Sequence, residues 1–192
     1  SEELFRKFFN GYQEKLQNER LLDFDDMLVM CYELLSQRPD ILAGWQRRFR
    51  YILIDEFQDI NQIQYDTIRL LAAPENNLFI VGDDDQSIYR FRGARPEIML
   101  NFQKDYPEAE TVLLSENYRS VENIIRAAGK VIKNNHARYP KDIHGVREKG
   151  EPIEIHGFVN QGQENAFVLE KVREYQKKGV SCKDMAVLFR TN

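Results

Sequence analysis

Two adjacent carboxylates, Asp55 and Glu56, directly follow an apolar run in the stretch YILIDEFQDINQIQYD, residues 51–66. One carboxylate suits a Mg²⁺ ion that keeps part of its water shell, because Mg²⁺ prefers hard oxygen ligands. The other suits the positioning or deprotonation of a water that attacks a phosphate. Taken alone, the dipeptide favours a plainer interpretation: a polar strand end that leads into a helix N-cap at Asp59 or Asn61.

A second polar stretch, VGDDDQSIYRFRGA at residues 81–94, also follows an apolar run. Its three consecutive aspartates are a poor cradle for a phosphate, but Gln86 can both donate and accept a hydrogen bond and so suits sensing a terminal phosphate or a water. Tyr89 and Phe91 alternate with arginines that include Arg92, a composition typical of a platform on which single-stranded bases stack. A solvated loop with one buried aromatic side chain explains the stretch equally well.

A third stretch, LSENYRS at residues 114–120, joins an apolar run to a predicted helix with Ser120 as its N-cap. Arg119 lies where a helix N-terminus already favours anions, so it suits an arginine finger on a transferring phosphoryl group. Tyr118 suits stacking on a base. In isolation, a capping motif with a surface arginine is the favoured interpretation.

The chain has 192 residues and a formal net charge of -4, which argues against gripping nucleic acid through bulk positive charge. Residues 119–149 form a local basic patch that suits a phosphate backbone, although a solvated helix face explains it as well. No apolar run reaches the roughly 18 residues of a membrane span, so no membrane partner is expected. Cys31 and Cys182 have no metal-ligand spacing, which favours a reduced, cytoplasmic location.

The apolar pattern predicts strands that alternate with helices, and therefore an α/β sheet. The first two strands are expected to be buried on both faces, as in parallel sheets. Asp23, with Asp26 three residues later, predicts the start of the second helix. Predicted strands cover 51–55, 77–83, 111–115, 153–158 and 185–190. Predicted helices cover 1–20, 24–36, a segment beginning at Pro39, 61–73, 95–106, 120–135 and 160–179.

Together, the three polar stretches resemble motifs of superfamily 1 DNA helicases of the UvrD/Rep/PcrA type. LIDEFQD is similar to the Walker B motif (motif II), VGDDDQSIYRFRGA to motif III and LSENYRS to motif IV, in the family's order. LDFDDML resembles a segment that precedes motif II, and MAVLFRTN resembles a strand of the second motor domain. The resemblance covers essentially the whole chain and implies RecA-like P-loop NTPase parallel sheets flanked by helices, incomplete in this chain.

The resemblance implies ATP and Mg²⁺ as cofactors. Asp55 would bind the Mg²⁺ of MgATP, and Glu56 would orient or deprotonate the hydrolytic water. Arg119 would reach the γ-phosphate from the second motor domain, and Tyr118 would stack near the adenine.

The resemblance also implies single-stranded and duplex DNA as partners. Gln58 and Gln86 would couple the state of the γ-phosphate to DNA. Phe91 matches a position that is often Trp in relatives and stacks on a base of single-stranded DNA, and Tyr89 and Arg92 would line the same strand.

The sequence lacks the Walker A pattern G-x-x-x-x-G-K-[ST]. The resemblance therefore implies an internal piece: residues 1–20 end an inserted helical subdomain, 21–108 form the back half of the first RecA-like motor domain and 109–192 the front half of the second. We expect this chain alone to bind ATP weakly if at all, to be inactive, and to self-associate through an exposed sheet edge and apolar surface.

Three functions are open from the sequence. The first is part of an ATP-dependent DNA helicase and translocase, 3′-to-5′ by family default, in DNA repair, replication or recombination. The second is the helicase segment of a helicase–nuclease subunit. The third is a non-catalytic nucleic-acid-binding module without Walker A, and the intact Asp55–Glu56 pair argues mildly against it.

Overall fold

The computed structural model describes residues 1–87 and 93–189, and within them helices alternate with short strands. The helices are α1 (Glu2–Glu19), α2 (Phe24–Gln37), α3 (Pro39–Arg48), α4 (Gln62–Ala72), α5 (Pro96–Leu100), α6 (Phe102–Asp105), α7 (Glu122–Ile132) and α8 (Gln161–Lys177). The strands are β1 (Ile52–Ile54), β2 (Leu78–Ile80), β3 (Glu116–Asn117) and β4 (His144–Gly145). Single 3-10 turns cover Phe57–Asp59, Asp84–Gln86 and Cys182–Asp184.

Capping boxes set the starts of two helices in the first part of the chain. Asp23 accepts a hydrogen bond from the amide of Asp26 at 2.8 Å, and the amide of Asp23 donates to the Asp26 carboxylate at 3.2 Å. Asn61 and Gln64 exchange the equivalent two bonds at the start of α4, both at 2.9 Å. The predicted N-cap at Asp23 is confirmed, and the second box makes α4 begin immediately after the DEFQD stretch.

The first sheet pairs β1 with β2 in parallel, with Ile52 opposite Leu78 and α4 as the connection between them. Because parallel strands end at the same edge, the polar residues that follow β1 and β2 lie side by side. The prediction that both strands are buried on both faces is wrong. Leu53 is 71% exposed and Phe79 is 60% exposed, because successive side chains point to opposite faces and the described residues leave this one uncovered.

An aromatic core lies beneath the carboxyl edge of this sheet. Phe57, immediately after the carboxylate pair, is fully buried and meets Tyr65 of α4 and Phe102 of α6 edge to face, with ring centroids 6.1 and 5.6 Å apart. Ile60 and Ile98 complete the buried cluster. The core therefore anchors the polar loop through the ring of the residue next to Glu56.

The rest of the chain, residues 110–189, is more open. Its described residues form only one two-residue parallel ladder, β3 with β4, in which Glu116 lies opposite His144. The predicted strands at 111–115 and 153–158 are not formed, nor is 185–190 over its described residues. Their apolar side chains are exposed, and a strand exists only where a neighbour supplies backbone partners along its length. The segment 111–115 has such a bond at its last residue alone, where the Ser115 carbonyl accepts the amide of His144 at 2.8 Å.

Two helix predictions also need correction. The predicted helix 95–106 is divided into α5 and α6, with a break at Asn101. The helix predicted from Ser120 begins at Glu122 instead, with Val121 in the N-cap position. Ser120 instead belongs to the turn that precedes the helix, where its amide donates to the side chain of Asn117.

Candidate functional site

The loop that follows β1 holds Glu56 in an unusual backbone conformation. Its φ of 52° and ψ of 40° lie in the left-handed region, which non-glycine residues rarely adopt. The flanking bonds enforce this conformation: the Phe57 amide donates to the Val81 carbonyl and the Asp59 amide to the Glu56 carbonyl, both at 2.9 Å. Asp55 accepts the Glu56 amide, also at 2.9 Å. Such strain is found where surrounding structure imposes it, often at active sites.

Gln58 connects this loop with the loop that follows β2. Its side chain is only 1% exposed, and its Nε2 donates to Oε2 of Glu56 at 2.7 Å. Its Oε1 accepts the backbone amide of Asp83 at 3.0 Å. Gly82 makes this approach possible, since a Cβ there would lie 2.6 Å from Gln58 Oε1. Both polar ends of the buried amide are therefore satisfied, and one of them holds the Glu56 carboxylate.

The loop after β2 continues the same hydrogen-bonded path. Gln86 Nε2 donates to Oδ2 of Asp83 at 2.8 Å, and the amide of Asp85 donates to Oδ1 of Asp83 at 3.2 Å. The structure thus joins three of the predicted residues, Glu56, Gln58 and Gln86, in one network, with Asp55 beside it.

A basic segment, residues 138–141, contacts this network through an acidic loop, residues 83–85. Lys141 Nζ lies 2.5 Å from a carboxylate oxygen of Asp83 and 2.5 Å from one of Asp84. The side chains of Lys141 and Asp84 are only 6% and 3% exposed, so these ion pairs are largely shielded from water. Burying such charges is costly unless each is paired, and here each has a partner.

Arg138 makes the second cationic contact with the acidic loop. Its Nε and Nη2 donate to the two carboxylate oxygens of Asp85 at 2.7 and 2.6 Å, a bidentate pair. The neighbouring Tyr139 donates its amide to Asp84 at 2.8 Å and its hydroxyl to the Met99 carbonyl at 3.0 Å. The segment is therefore docked onto the first part of the chain through backbone and side-chain contacts together.

Burial and pairing act in opposite directions on the ionisation of these groups. Burial raises the pKa of Asp83, but the hydrogen bonds from Lys141 and Gln86 outweigh it and leave that pKa below its usual value. Burial lowers the pKa of Lys141, but its bonds to Asp83 and Asp84 outweigh it and raise that pKa. Both partners are thus held in their charged forms.

Sequence reasoning missed the role of Arg138 and Lys141. Both belong to the basic patch at residues 119–149, which the sequence assigned to a phosphate backbone or to a solvated helix face. Neither interpretation holds for these two cations, because they meet the chain's own carboxylates. The available signal was the pairing of a run of three aspartates with a basic segment in an otherwise acidic chain.

The LSENYRS stretch forms a turn organised by Asn117. Its Oδ1 accepts the amides of Arg119 and Ser120 at 3.0 and 2.9 Å. Within the described residues, no hydrogen bond or ion pair connects the Arg119 side chain with Glu56. The structure therefore does not bring this predicted residue into the network.

The remaining predicted side chains stand apart from the network. Tyr118 is exposed, and the hydrogen bond of its hydroxyl to Glu116 raises the pKa of that hydroxyl. Tyr89, Phe91 and Arg92, the predicted DNA-stacking residues, lie outside the described residues.

Residues 1–87 and 93–189 contain no group of three or more His, Cys, Asp or Glu side chains that could hold a metal ion. A single carboxylate is nevertheless enough for the Mg²⁺ chemistry predicted for Asp55. Its side chain is exposed, and Mg²⁺ is usually bound by one or two carboxylates together with phosphates and water. In the same described residues, no helix is long and apolar enough to cross a membrane.

The fold and the site define an α/β protein whose polar loops meet at the carboxyl edge of a parallel sheet. Two family models match the chain: the UvrD/REP helicase N-terminal domain over residues 1–107 and the UvrD-like helicase C-terminal domain over residues 112–192. The chain therefore belongs to the UvrD/REP helicase family, as the three motifs predicted.

Individual relatives are similar over nearly the whole chain. YjcD of Bacillus subtilis is 46% identical over 187 residues, which are 97% of this chain and 24% of that protein. The ATP-dependent DNA helicase PcrA of Staphylococcus aureus is 43% identical over 184 residues, 96% of this chain and 25% of that protein. PcrA of Staphylococcus epidermidis is 41% identical over the same shares. The chain thus spans about a quarter of the length of the curated relatives it matches.

Proposed function

We propose that this chain is part of an ATP-dependent DNA helicase that couples ATP hydrolysis to 3′-to-5′ movement on single-stranded DNA and to duplex unwinding, in DNA repair, replication or recombination. The similar PcrA proteins are named ATP-dependent DNA helicases, which supports the use of ATP and DNA. The observation that carries the proposal is the bond from Gln58 to Glu56, since it holds a carboxylate at the sheet edge where α/β proteins bind ligands.

In this proposal, Glu56 is the general base of ATP hydrolysis. Gln58 holds Oε2 of the carboxylate, which leaves Oε1 to accept a proton from the attacking water. Asp55 would hold Mg²⁺, which supplies neutralisation of the phosphate charge when it is bound. Gln86, bonded to Asp83, lies at the end of the same network and would sense the γ-phosphate.

The remaining roles follow the family's motifs. Arg119 would stabilise the transferring phosphoryl group from the second motor domain, and Tyr118 would stack near the adenine. Tyr89, Phe91 and Arg92 would contact single-stranded DNA. We further propose that residues 1–20 end a helical subdomain, that 21–108 belong to the first motor domain and that 109–192 belong to the second. The two matched family models support a division near residue 108.

The test is single-strand-stimulated ATP hydrolysis by the complete gene product and its Glu56→Gln variant. The substitution keeps the size and the bond from Gln58 but removes the base, so we expect kcat to fall by about 10²- to 10⁴-fold while ATP still binds. Glu33→Gln, which changes an exposed carboxylate on α2, is the matched control and should hydrolyse ATP normally. Wild-type protein that binds DNA without any stimulated turnover would instead favour the non-catalytic binding module.

A further inference from the structure

We propose that Lys141 is a positioning residue that fixes the Glu56 carboxylate from the far part of the chain. It does not touch the reacting atoms but acts through the acidic loop, residues 83–85. The inference rests on the proposed function, because it assigns Lys141 to the same hydrolytic site.

A continuous path of polar contacts joins the two side chains. Lys141 Nζ binds Oδ1 of Asp83, and the backbone amide of Asp83 donates to Oε1 of Gln58 at 3.0 Å. The same Gln58 donates from Nε2 to Oε2 of Glu56 at 2.7 Å. Two residues, Asp83 and Gln58, therefore separate the buried cation from the carboxylate that would receive the proton.

The acidic loop needs this cation to stay closed. It carries three consecutive carboxylates, and Lys141 is the one described cation whose nitrogen lies within 4 Å of a carboxylate oxygen of each, with Asp85 at 3.3 Å. Without Lys141, the carboxylates repel one another and Asp84, which is almost fully buried, loses its ion-pair partner. We expect the loop to open toward water and to carry the Asp83 amide away from Gln58.

Loss of the Asp83–Gln58 bond would free the Glu56 carboxylate. Gln58 would then have an unpaired Oε1 in a buried position and would reorient to satisfy it, breaking its bond to Glu56. A base that is no longer held loses rate rather than affinity, since small misplacements at a reacting centre cost far more in turnover than in substrate binding.

Arg138 supplies a matched control. Replacing Arg138 removes a cation from the same cluster. Its side chain, however, binds Asp85, and the Asp85 carboxylate does not contact Gln58. If Lys141 acted only by stabilising the docking of residues 138–141, both substitutions would have the same effect.

The experiment compares the complete gene product with its Lys141→Met and Arg138→Met variants in single-strand-stimulated ATP hydrolysis. For Lys141→Met, we expect kcat to fall by about 10- to 100-fold with the KM for ATP within about twofold of wild type. For Arg138→Met, kcat should stay within about threefold of wild type, because Asp85 keeps Lys141 as a partner at 3.3 Å and the contacts of Asp83 are unchanged. Equal losses in the two variants, or a rise in KM with kcat intact, would overturn the proposal.

A double variant covers the case in which Lys141→Met fails to fold. In Lys141→Met combined with Asp84→Asn, the cluster has the same net charge as in the wild type, because one cation and one carboxylate are removed together. The Asn side chain can still accept the hydrogen bond of the Tyr139 amide. The double variant still takes the Lys141 cation away from Asp83 and Asp85, which repel each other, so the loop should still open and kcat should also fall by about 10- to 100-fold. A folded double variant with wild-type kcat would refute the positioning role.

Amide hydrogen exchange of the peptide containing Asp83 separates this inference from the proposed function. Its exchange should be faster in Lys141→Met than in wild type and unchanged in Arg138→Met. Unchanged exchange in Lys141→Met would overturn the inference even if ATP is hydrolysed. Wild-type protein without ATP turnover would overturn the proposed function and this inference with it. If the Asp83 peptide still exchanged faster in Lys141→Met, the contact between Lys141 and the acidic loop would be structural and would have no role in hydrolysis.

Discussion

Gly82→Ala is the sharpest test of the geometry around Gln58. A Cβ at this position would lie 2.6 Å from Gln58 Oε1, 3.1 Å from Met99 Sδ and 3.2 Å from the amide nitrogen of Phe57. Real Cβ atoms essentially never approach within 3.0 Å, and the Gln58 side chain is too buried to move into water. Something in the loop must therefore shift.

The expected cost follows from these contacts. Overpacking a well-packed site costs about 1–3 kcal/mol. Losing one bond of Gln58 adds about 1 kcal/mol, since the net value of a typical hydrogen bond is close to that. Against this, replacing Gly by Ala reduces the entropy of the unfolded chain and stabilises by about 0.4–1 kcal/mol. The net loss is about 2 kcal/mol, or ~4–8 °C in the melting temperature of the domain that contains Gly82, for a domain of about 150–250 residues.

The assay is thermal unfolding of the complete gene product followed by circular dichroism, together with its ATP turnover. Gly44→Ala is the control, because a Cβ at Gly44 in α3 meets nothing within 4 Å and Ala favours helices. We expect Gly44→Ala to keep or raise the melting temperature and Gly82→Ala to lower both the melting temperature and kcat. Equal melting temperatures and turnover for Gly82→Ala and wild type would show that Gln58 is not held as described.

Two further predictions concern the core and the ion cluster. Tyr65→Phe removes the hydroxyl that donates to Asp105 Oδ2 at 2.6 Å, so we expect a loss of about 1–2 kcal/mol in the free energy of unfolding, measured by urea denaturation; a loss near zero would contradict it. Burial raises the pKa of Asp83 and of Asp85, but their cationic partners outweigh it and lower both pKa values. A carboxylate whose pKa is lower in the folded than in the unfolded protein stabilises the fold at pH values above its unfolded pKa of about 3.9. This part of the free energy of unfolding should disappear as the pH falls below about 4. Lys141→Met should lose less free energy of unfolding than wild type over the same acid titration.

The starts and ends of the elements in the first part of the chain were largely predictable. β1 and β2 lie within the predicted strands, and α2 begins at the predicted cap on Asp23 because a capping box is a contact between residues three apart. Predictions failed where an element needs a distant partner. The apolar run 111–115 predicts a strand, but within the described residues its long-range backbone bond is made at its last residue, where the Ser115 carbonyl accepts the amide of His144, so no ladder forms along the run.

The candidate site also has parts that follow from neighbouring residues in the sequence and parts that depend on distant contacts. The sequence by itself determined that Asp55 and Glu56 follow a strand, since the apolar run and the polar residues after it are neighbours in the chain. Only the tertiary structure decided that Lys141 contacts Asp83, a residue 58 positions earlier, and that Gln58 connects this pair to Glu56. Local rules of propensity and capping act over a few residues, whereas a buried ion pair between distant segments depends on how the whole chain brings them together.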